Sequence, residues 1–149
     1  TGCRVEVFPD PFDPWQQLAL WCGDAAAAAI FIGWVRPTTM DGRPLEALEL
    51  EHFPGLCERQ ITAMAQRLQQ EHKAGPILVL HRVGKLAPGE PIVLVAVQAH
   101  RRGAAQRCSA ALLEQLQPLA PFWKREWCAG QGTWLSSNTA LDDCGQNIR

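Results

Sequence analysis

The sequence lacks the features that mark several large classes of protein. Its 15 acidic and 14 basic residues give a formal net charge of −1, so the chain has no general attraction for nucleic acid or for an anionic membrane. Its longest strongly apolar runs, residues 25–32 and 91–99, are shorter than the roughly 18 to 20 residues that cross a bilayer. No charged leader with an apolar core opens the sequence. We therefore expect neither a membrane span nor a signal peptide, and any anion site must come from local clustering.

Signatures of metal and cofactor binding are also missing. The cysteines are scattered at Cys3, Cys22, Cys57, Cys108, Cys128 and Cys144, and the histidines at His52, His72, His81 and His100. A zinc site uses closely spaced pairs of such residues, and none is present. There is also no glycine-rich phosphate loop, no GxSxG elbow and no nicotinamide signature. We predict no metal and no cofactor, and we expect reduced, mostly buried thiols, which indicate a cytoplasmic protein.

What is present is enough apolar sequence for a sizeable core. The 149 residues are 47% hydrophobic and 19% charged, which excludes wholesale disorder. The length fits one domain, and neither an internal repeat nor a linker interrupts it. We therefore predict a single domain over residues 1–149.

Hydrophobic periodicity predicts a mixed α+β order of elements. Period-two or continuous apolar patterns predict strands, and apolar residues at helical spacing predict helices. The predicted strands are residues 3–8, 45–53, 77–83, 92–98, 122–128 and 133–135, and the predicted helices are a short one from Pro14, residues 54–73 and residues 104–119. Residues 25–35 are predicted as a strand, because the bulky second half and Pro37 favour a strand although the alanines alone would favour a helix. Residues 84–90 are predicted as a loop.

Two basic clusters follow apolar strands. His100-Arg101-Arg102 lies where the most apolar strand meets a helix, and the N–H groups and dipole at a helix start favour a phosphate or carboxylate. Arg36 ends another apolar segment beside Gly33, and its guanidinium can bind an anion in the same way. The alternative for both clusters is that the charged side chains are simply solvated.

A third cluster combines proline, aromatic and charged residues at positions 120–126. In a strand, Lys124 and Glu126 would share one face, and Trp123 and Arg125 the other. Because the chain has only three lysines, Lys124 is of interest: partial burial would lower its pKa and make it a better proton acceptor or nucleophile. The alternative is an amphipathic edge strand. From these patterns alone we predict an α+β domain with an anion pocket built from arginines and one lysine.

These clusters, in this order and spacing, resemble the large, catalytic subunit of molybdopterin synthase. The matching segments are FIGWVR at 31–36, LELEHFPG at 48–55, HRVG at 81–84, AHR at 99–101 and APFWKRE at 120–126. Together they span roughly residues 25–135. The resemblance implies a homodimeric α/β hammerhead-type fold with a mixed or antiparallel sheet, packed helices and a ubiquitin-like small subunit at each end. It further implies that sulfur passes from the small subunit's C-terminal Gly-Gly thiocarboxylate to cyclic pyranopterin monophosphate, which forms the molybdopterin dithiolene.

The resemblance also assigns roles to individual residues. It implies that Lys124 is catalytic and that Arg36, with Trp34 and Val35, binds substrate. It implies substrate contacts from Arg125 and Glu126, and from His100 and Arg101 of the neighbouring subunit. The residues expected to line the pocket are Phe31, Pro121 and Phe122.

The sequence departs from the family pattern seven residues before Lys124. The family has a second lysine there, whereas this chain has Gln117, which is neutral and cannot act as a base or form a covalent adduct. Two functions follow as hypotheses. The first is the full sulfurtransferase, and the alternative is a catalytically impaired member that acts as a pterin and small-subunit binding module or as a structural dimer partner.

Overall fold

The computed structural model describes residues 2–21, 23–119 and 122–135, with the backbone alone at Leu119 and Phe122. Its elements, in chain order, are β1 (Cys3–Phe8), α1 (Pro14–Trp21), β2 (Ala27–Trp34), β3 (Ala47–His52), α2 (Leu56–His72), β4 (Ile77–Arg82), β5 (Gly84–Leu86), β6 (Pro91–Ala99), α3 (Arg102–Leu119), β7 (Phe122–Cys128) and β8 (Gln131–Trp134). None of these helices is long and apolar enough to cross a bilayer.

The strands form two four-stranded sheets. The first has the order β1-β4-β6-β2, in which β1 and β4 are parallel and the other neighbours antiparallel. The second has the order β5-β3-β7-β8 and is antiparallel throughout. The predicted α+β class, with mixed and antiparallel sheets and packed helices, is confirmed.

The apolar faces of the first sheet explain why the helices form where they do. Ile61, Met64 and Leu68 of α2 pack with Cys108 and Leu112 of α3 on one side of that sheet. The short helix α1 packs through Leu18 on the other side. Strand β6 lies between β4 and β2, and residues 94–99 are buried. Its continuous apolar run therefore belongs to a strand covered on both faces, as predicted.

The strand predicted within residues 25–35 is confirmed as β2. Strand β2 pairs with β6 from Ala27↔Ala99 to Trp34↔Pro91. The pairing satisfies backbone groups of both strands, and this tertiary contact outweighs the helix propensity of the alanines.

The loop predicted at residues 84–90 is partly wrong. Gly84–Leu86 forms the short strand β5, which pairs with β3 from Leu48↔Leu86 to Leu50↔Gly84. Gly84 has a φ of 94°, which allows the chain to turn out of β4 at this point. Three residues are too few to show an alternating pattern, so only the pairing with β3 and the burial of Leu86 identify the strand.

Candidate functional site

A cavity of about 350 Å³ lies between one end of the first sheet, the second half of α3 and the second sheet. Its walls are mostly apolar and include the predicted residues Phe31, Trp34 and Val35. Its polar and charged residues are Arg36, Thr38, His81, Gln117, Lys124 and Glu126. The cavity therefore gathers residues from positions 31 to 135, and its polar side includes Arg36, Gln117, Lys124 and Glu126, which the sequence analysis singled out.

Strand β7 places Lys124 and Glu126 on the cavity side. Their partners in β3 are Leu50 and Leu48, which also line the cavity. Side chains alternate across a strand, so the predicted shared face of Lys124 and Glu126 is confirmed. Burial lowers the pKa of the Lys124 amine, and the positive charge of Arg36 lowers it further. Both effects enlarge the fraction of Lys124 that is present as a neutral amine, the form that accepts a proton or attacks an electrophile.

Arg125 lies on the opposite face of β7, outside the lining of this cavity. Its guanidinium pairs with Glu49 of β3 at 2.8 Å. It also lies over the rings of Trp127 and Trp134, at 4.8 and 4.4 Å from their centroids. Strand alternation is the reason that neighbouring residues of the Lys-Arg-Glu segment have different surroundings.

His81 is a cavity residue that the sequence analysis missed as a site residue. It lies on β4 and is buried, and its Nδ1 lies 2.8 Å from the carbonyl oxygen of Arg82. Because a carbonyl only accepts hydrogen bonds, Nδ1 carries the proton. Burial lowers the pKa of His81 to about 4, and the charges of Lys124 and His52 also lower it. A neutral imidazole therefore faces the cavity at pH 7. The signal in the sequence was its alternation with Ile77 and Val79, which places a histidine on an otherwise apolar strand face.

His100 and Arg101 do not reach the cavity of their own chain. They are exposed and follow the C-terminal end of β6, where Ala99 pairs with Ala27. The cavity lies at the other end of the same strand pair, beside Val93 and Gly33. The two ends are separated by roughly 20 Å at about 3.3 Å per strand residue. Their role at a substrate pocket is therefore not met within one chain and stays a prediction.

Two predicted pocket residues cannot be placed. Pro121 lies outside the described residues. Phe122 begins β7, but only its backbone is described. Both stay predictions.

The two buried cysteines among the described residues, Cys57 and Cys108, have the properties of structural thiols. Cys3, Cys57, Cys108 and Cys128 are free. Burial raises the pKa of Cys57 to about 12 and that of Cys108 to about 11. Such thiols carry almost no thiolate at neutral pH and are therefore poor nucleophiles. Among the described residues, no group of three or more His, Cys, Asp or Glu side chains is arranged to hold a metal ion.

Comparison with known proteins gives a consistent result. The model of the family described as MoaE protein matches residues 7–118. The molybdopterin synthase catalytic subunit of Cereibacter sphaeroides is 39% identical over 140 residues, which cover 92% of this chain and 94% of that protein.

Two solved structures share the fold. A molybdopterin biosynthesis MoaE protein from Burkholderia ambifaria has a TM-score of 0.77 and 29% identity, covering 94% of this chain and 93% of that one. A protein–protein complex of subunits 1 and 2 of molybdopterin-converting factor from Helicobacter pylori contains a chain with a TM-score of 0.77 and 14% identity, covering 97% of both chains. The second likeness concerns the fold alone.

Proposed function

Since the chain belongs to the MoaE protein family, we propose that it is a sulfurtransferase of molybdopterin synthesis. It takes sulfur from the C-terminal thiocarboxylate of a ubiquitin-like small subunit and transfers it to cyclic pyranopterin monophosphate. The observation that carries the proposal is a partly buried Lys124 of lowered pKa in one cavity with Arg36. The relative named molybdopterin synthase catalytic subunit, 39% identical over most of both chains, supports the same reaction.

Lys124 is the proposed reactive amine. Sulfur transfer to the pterin needs a group near the reacting carbons that moves a proton or forms a transient covalent bond, and a neutral lysine does either. Arg36 lies at the exposed side of the cavity and supplies a fixed positive charge for the pterin phosphate. The mostly apolar walls around Lys124 limit the water that would otherwise hydrolyse the thiocarboxylate.

The proposed assembly is a homodimer with one small subunit on each copy. His100 and Arg101 of one copy complete the cavity of the other, since they lie too far from their own. The Helicobacter pylori structure, which shares the fold, is a complex of two subunits, and a second subunit as partner is consistent with it. The free thiols at Cys3, Cys57, Cys108 and Cys128 support a cytoplasmic location.

Gln117 determines how fast this chain turns over. It lines the cavity with Lys124, where the family pattern expects a second lysine. A glutamine keeps hydrogen bonding but contributes neither a charge nor an amine. We propose that Lys124 together with the arginines sustains the reaction, at a rate that a second amine would increase.

A single-turnover assay tests this proposal. The thiocarboxylated small subunit and cyclic pyranopterin monophosphate are mixed with the unmodified protein, with Lys124→Met and with Gln117→Lys. We expect molybdopterin from the unmodified protein, more rapid formation with Gln117→Lys, and no product with Lys124→Met although that variant still binds the small subunit. Product from Gln117→Lys alone would mean that this chain kept the binding site and lost the chemistry. Normal turnover by Lys124→Met would remove Lys124 from the mechanism.

A further inference from the structure

A hairpin between β2 and β3, closed by hydrogen bonds between its own residues, forms part of the cavity wall. Residues 37–45, hereafter the 37–45 hairpin, are closed by hydrogen bonds from Leu45 N to Pro37 O at 2.9 Å and from Thr39 N to Arg43 O at 2.7 Å. The hydroxyl of Thr39, a buried residue, also accepts from Arg43 N at 2.9 Å. These bonds order the hairpin internally but do not fix its position over the cavity.

Glu126 ties the tip of the hairpin to the second sheet. Its two carboxylate oxygens lie 3.1 and 3.0 Å from the backbone nitrogen of Met40, which donates to them. Met40 and Thr38 line the cavity, and the Met40 sulfur lies 4.0 Å from Nη1 of Arg36. The position of the Glu126 carboxylate therefore sets the position of the hairpin tip and, through it, the surroundings of the Arg36 guanidinium.

The same contact bears on how Glu126 relates to Lys124. The two residues share one face of β7, roughly 7 Å apart at about 3.3 Å per residue. A carboxylate paired with Lys124 would raise the pKa of the amine, whereas burial and the Arg36 charge lower it. Both carboxylate oxygens of Glu126 accept from the Met40 N–H. Glu126 therefore holds the hairpin tip and does not serve as an anionic partner of Lys124 on this strand face.

We infer that Glu126 is a positioning residue, which docks the 37–45 hairpin as a wall of the cavity through the Met40 N–H rather than contacting substrate. The effect on turnover rests on the proposed function, but the docking does not. Glutamine keeps a carbonyl oxygen for the Met40 N–H, so a docking role tolerates Glu126→Gln, whereas alanine removes the acceptor. A role as a charge or base in the reaction would be lost equally in both variants.

Hydrogen exchange at the Met40 amide tests the docking directly. We expect Glu126→Ala to speed the exchange of this amide on the order of tenfold, with Glu126→Gln in between, because a hydrogen bond to a carboxylate is stronger than one to an amide oxygen. The matched control is Glu46→Ala, since Glu46 accepts from the Gly130 N–H at 3.0 Å and does not line the cavity. It should speed exchange at Gly130 and leave Met40 unchanged. Equal exchange at Met40 in the unmodified protein and in Glu126→Ala would overturn the inference.

The kinetic part separates positioning from chemistry. In Glu126→Ala we expect the KM for the pterin to rise on the order of tenfold, while the rate at saturation stays within about twofold, because Lys124 is unchanged. Glu126→Gln should recover most of the loss. Equal losses in Glu126→Gln and Glu126→Ala, or a loss confined to the saturating rate, would contradict a positioning role. If the unmodified protein made no product while the Met40 difference persisted, the proposed function would fail and the docking would stand.

Discussion

The strongest quantitative prediction concerns the face of β7 that points away from the cavity. Oε1 of Glu49 accepts three hydrogen bonds, from Arg125 Nε at 3.1 Å, Arg125 Nη2 at 2.8 Å and Trp127 Nε1 at 2.9 Å. The side chains of Arg125 and Glu49 are only 26% and 20% exposed. In Glu49→Gln an oxygen acceptor remains, but all three bonds lose the charge on that acceptor.

The expected loss follows from those three bonds. Replacing a charged by a neutral acceptor costs about 1 kcal/mol per bond, so the free energy of unfolding should fall by about 3 kcal/mol at pH 7. For a domain of this size that corresponds to a fall in Tm of roughly 6 to 12 °C. Glu51→Gln is the matched control, because Glu51 is an exposed glutamate on the same strand. It should change stability by less than about 0.5 kcal/mol.

The pH dependence provides an independent test of the same contact. The hydrogen bond from Trp127, followed by the bond and charge of Arg125, lowers the pKa of Glu49 in the folded state. The unfolded chain therefore binds the proton first, and the contribution of Glu49 is complete above about pH 4.5 and lost as the pH falls through the folded-state pKa. Urea unfolding at pH 7 and at several acidic pH values should show that the free energies of unfolding of the unmodified protein and of Glu49→Gln converge in acid. A difference below about 0.5 kcal/mol at pH 7, or a difference that persists in acid, would refute the reasoning.

Two further predictions concern titratable groups in the cavity wall. Burial lowers the folded-state pKa of His81 to about 4, so the unfolded state gains a proton first as the pH falls from about 6.5. Between pH 7 and pH 4 the free energy of unfolding should therefore fall by about 3 kcal/mol more in the unmodified protein than in His81→Phe. Urea unfolding measures this difference, and parallel pH dependences of the two proteins would contradict it. The pKa of Lys124 is lowered by burial and by the charge of Arg36, so Lys124→Met should be more stable than the unmodified protein at pH 7. The difference in stability should shrink as the pH rises toward the ordinary pKa of lysine. Thermal unfolding from pH 7 to pH 10 measures this difference, and a lower stability of Lys124→Met at pH 7 would show that the charged amine does not destabilise the fold.

Much of the fold and some of the site could be predicted from the sequence. Helix α2 and strand β3 have clear hydrophobic periods, and strand β6 has a continuous apolar run. These predictions were confirmed because each element buries one face or both against its neighbours. The shared orientation of Lys124 and Glu126 also followed from strand alternation alone. Such inferences succeed because the period of the side chains is a local property of the backbone.

The sequence also contains motifs that resemble those of the family, and these motifs indicated the expected reaction. Segments such as FIGWVR and APFWKRE lie roughly 90 residues apart along the chain, yet the structure brings Arg36 and Lys124 to one cavity. The motifs indicated which residues matter, but they carry no information on which strand edges pair or in what register.

Only the tertiary structure decided the surroundings of those residues. Strand β5 exists because Gly84–Leu86 finds an edge of β3, and His81 belongs to the cavity because β4 ends beside it. The antiparallel pairing of β2 and β6 sends His100 to the far end of the sheet from its own cavity, and a contact across 86 positions joins Met40 to Glu126. These features depend on pairing and burial between segments that are distant in the sequence. Hydrophobic periodicity indicates only the secondary structure of each segment and which of its faces is buried, so it could not predict them.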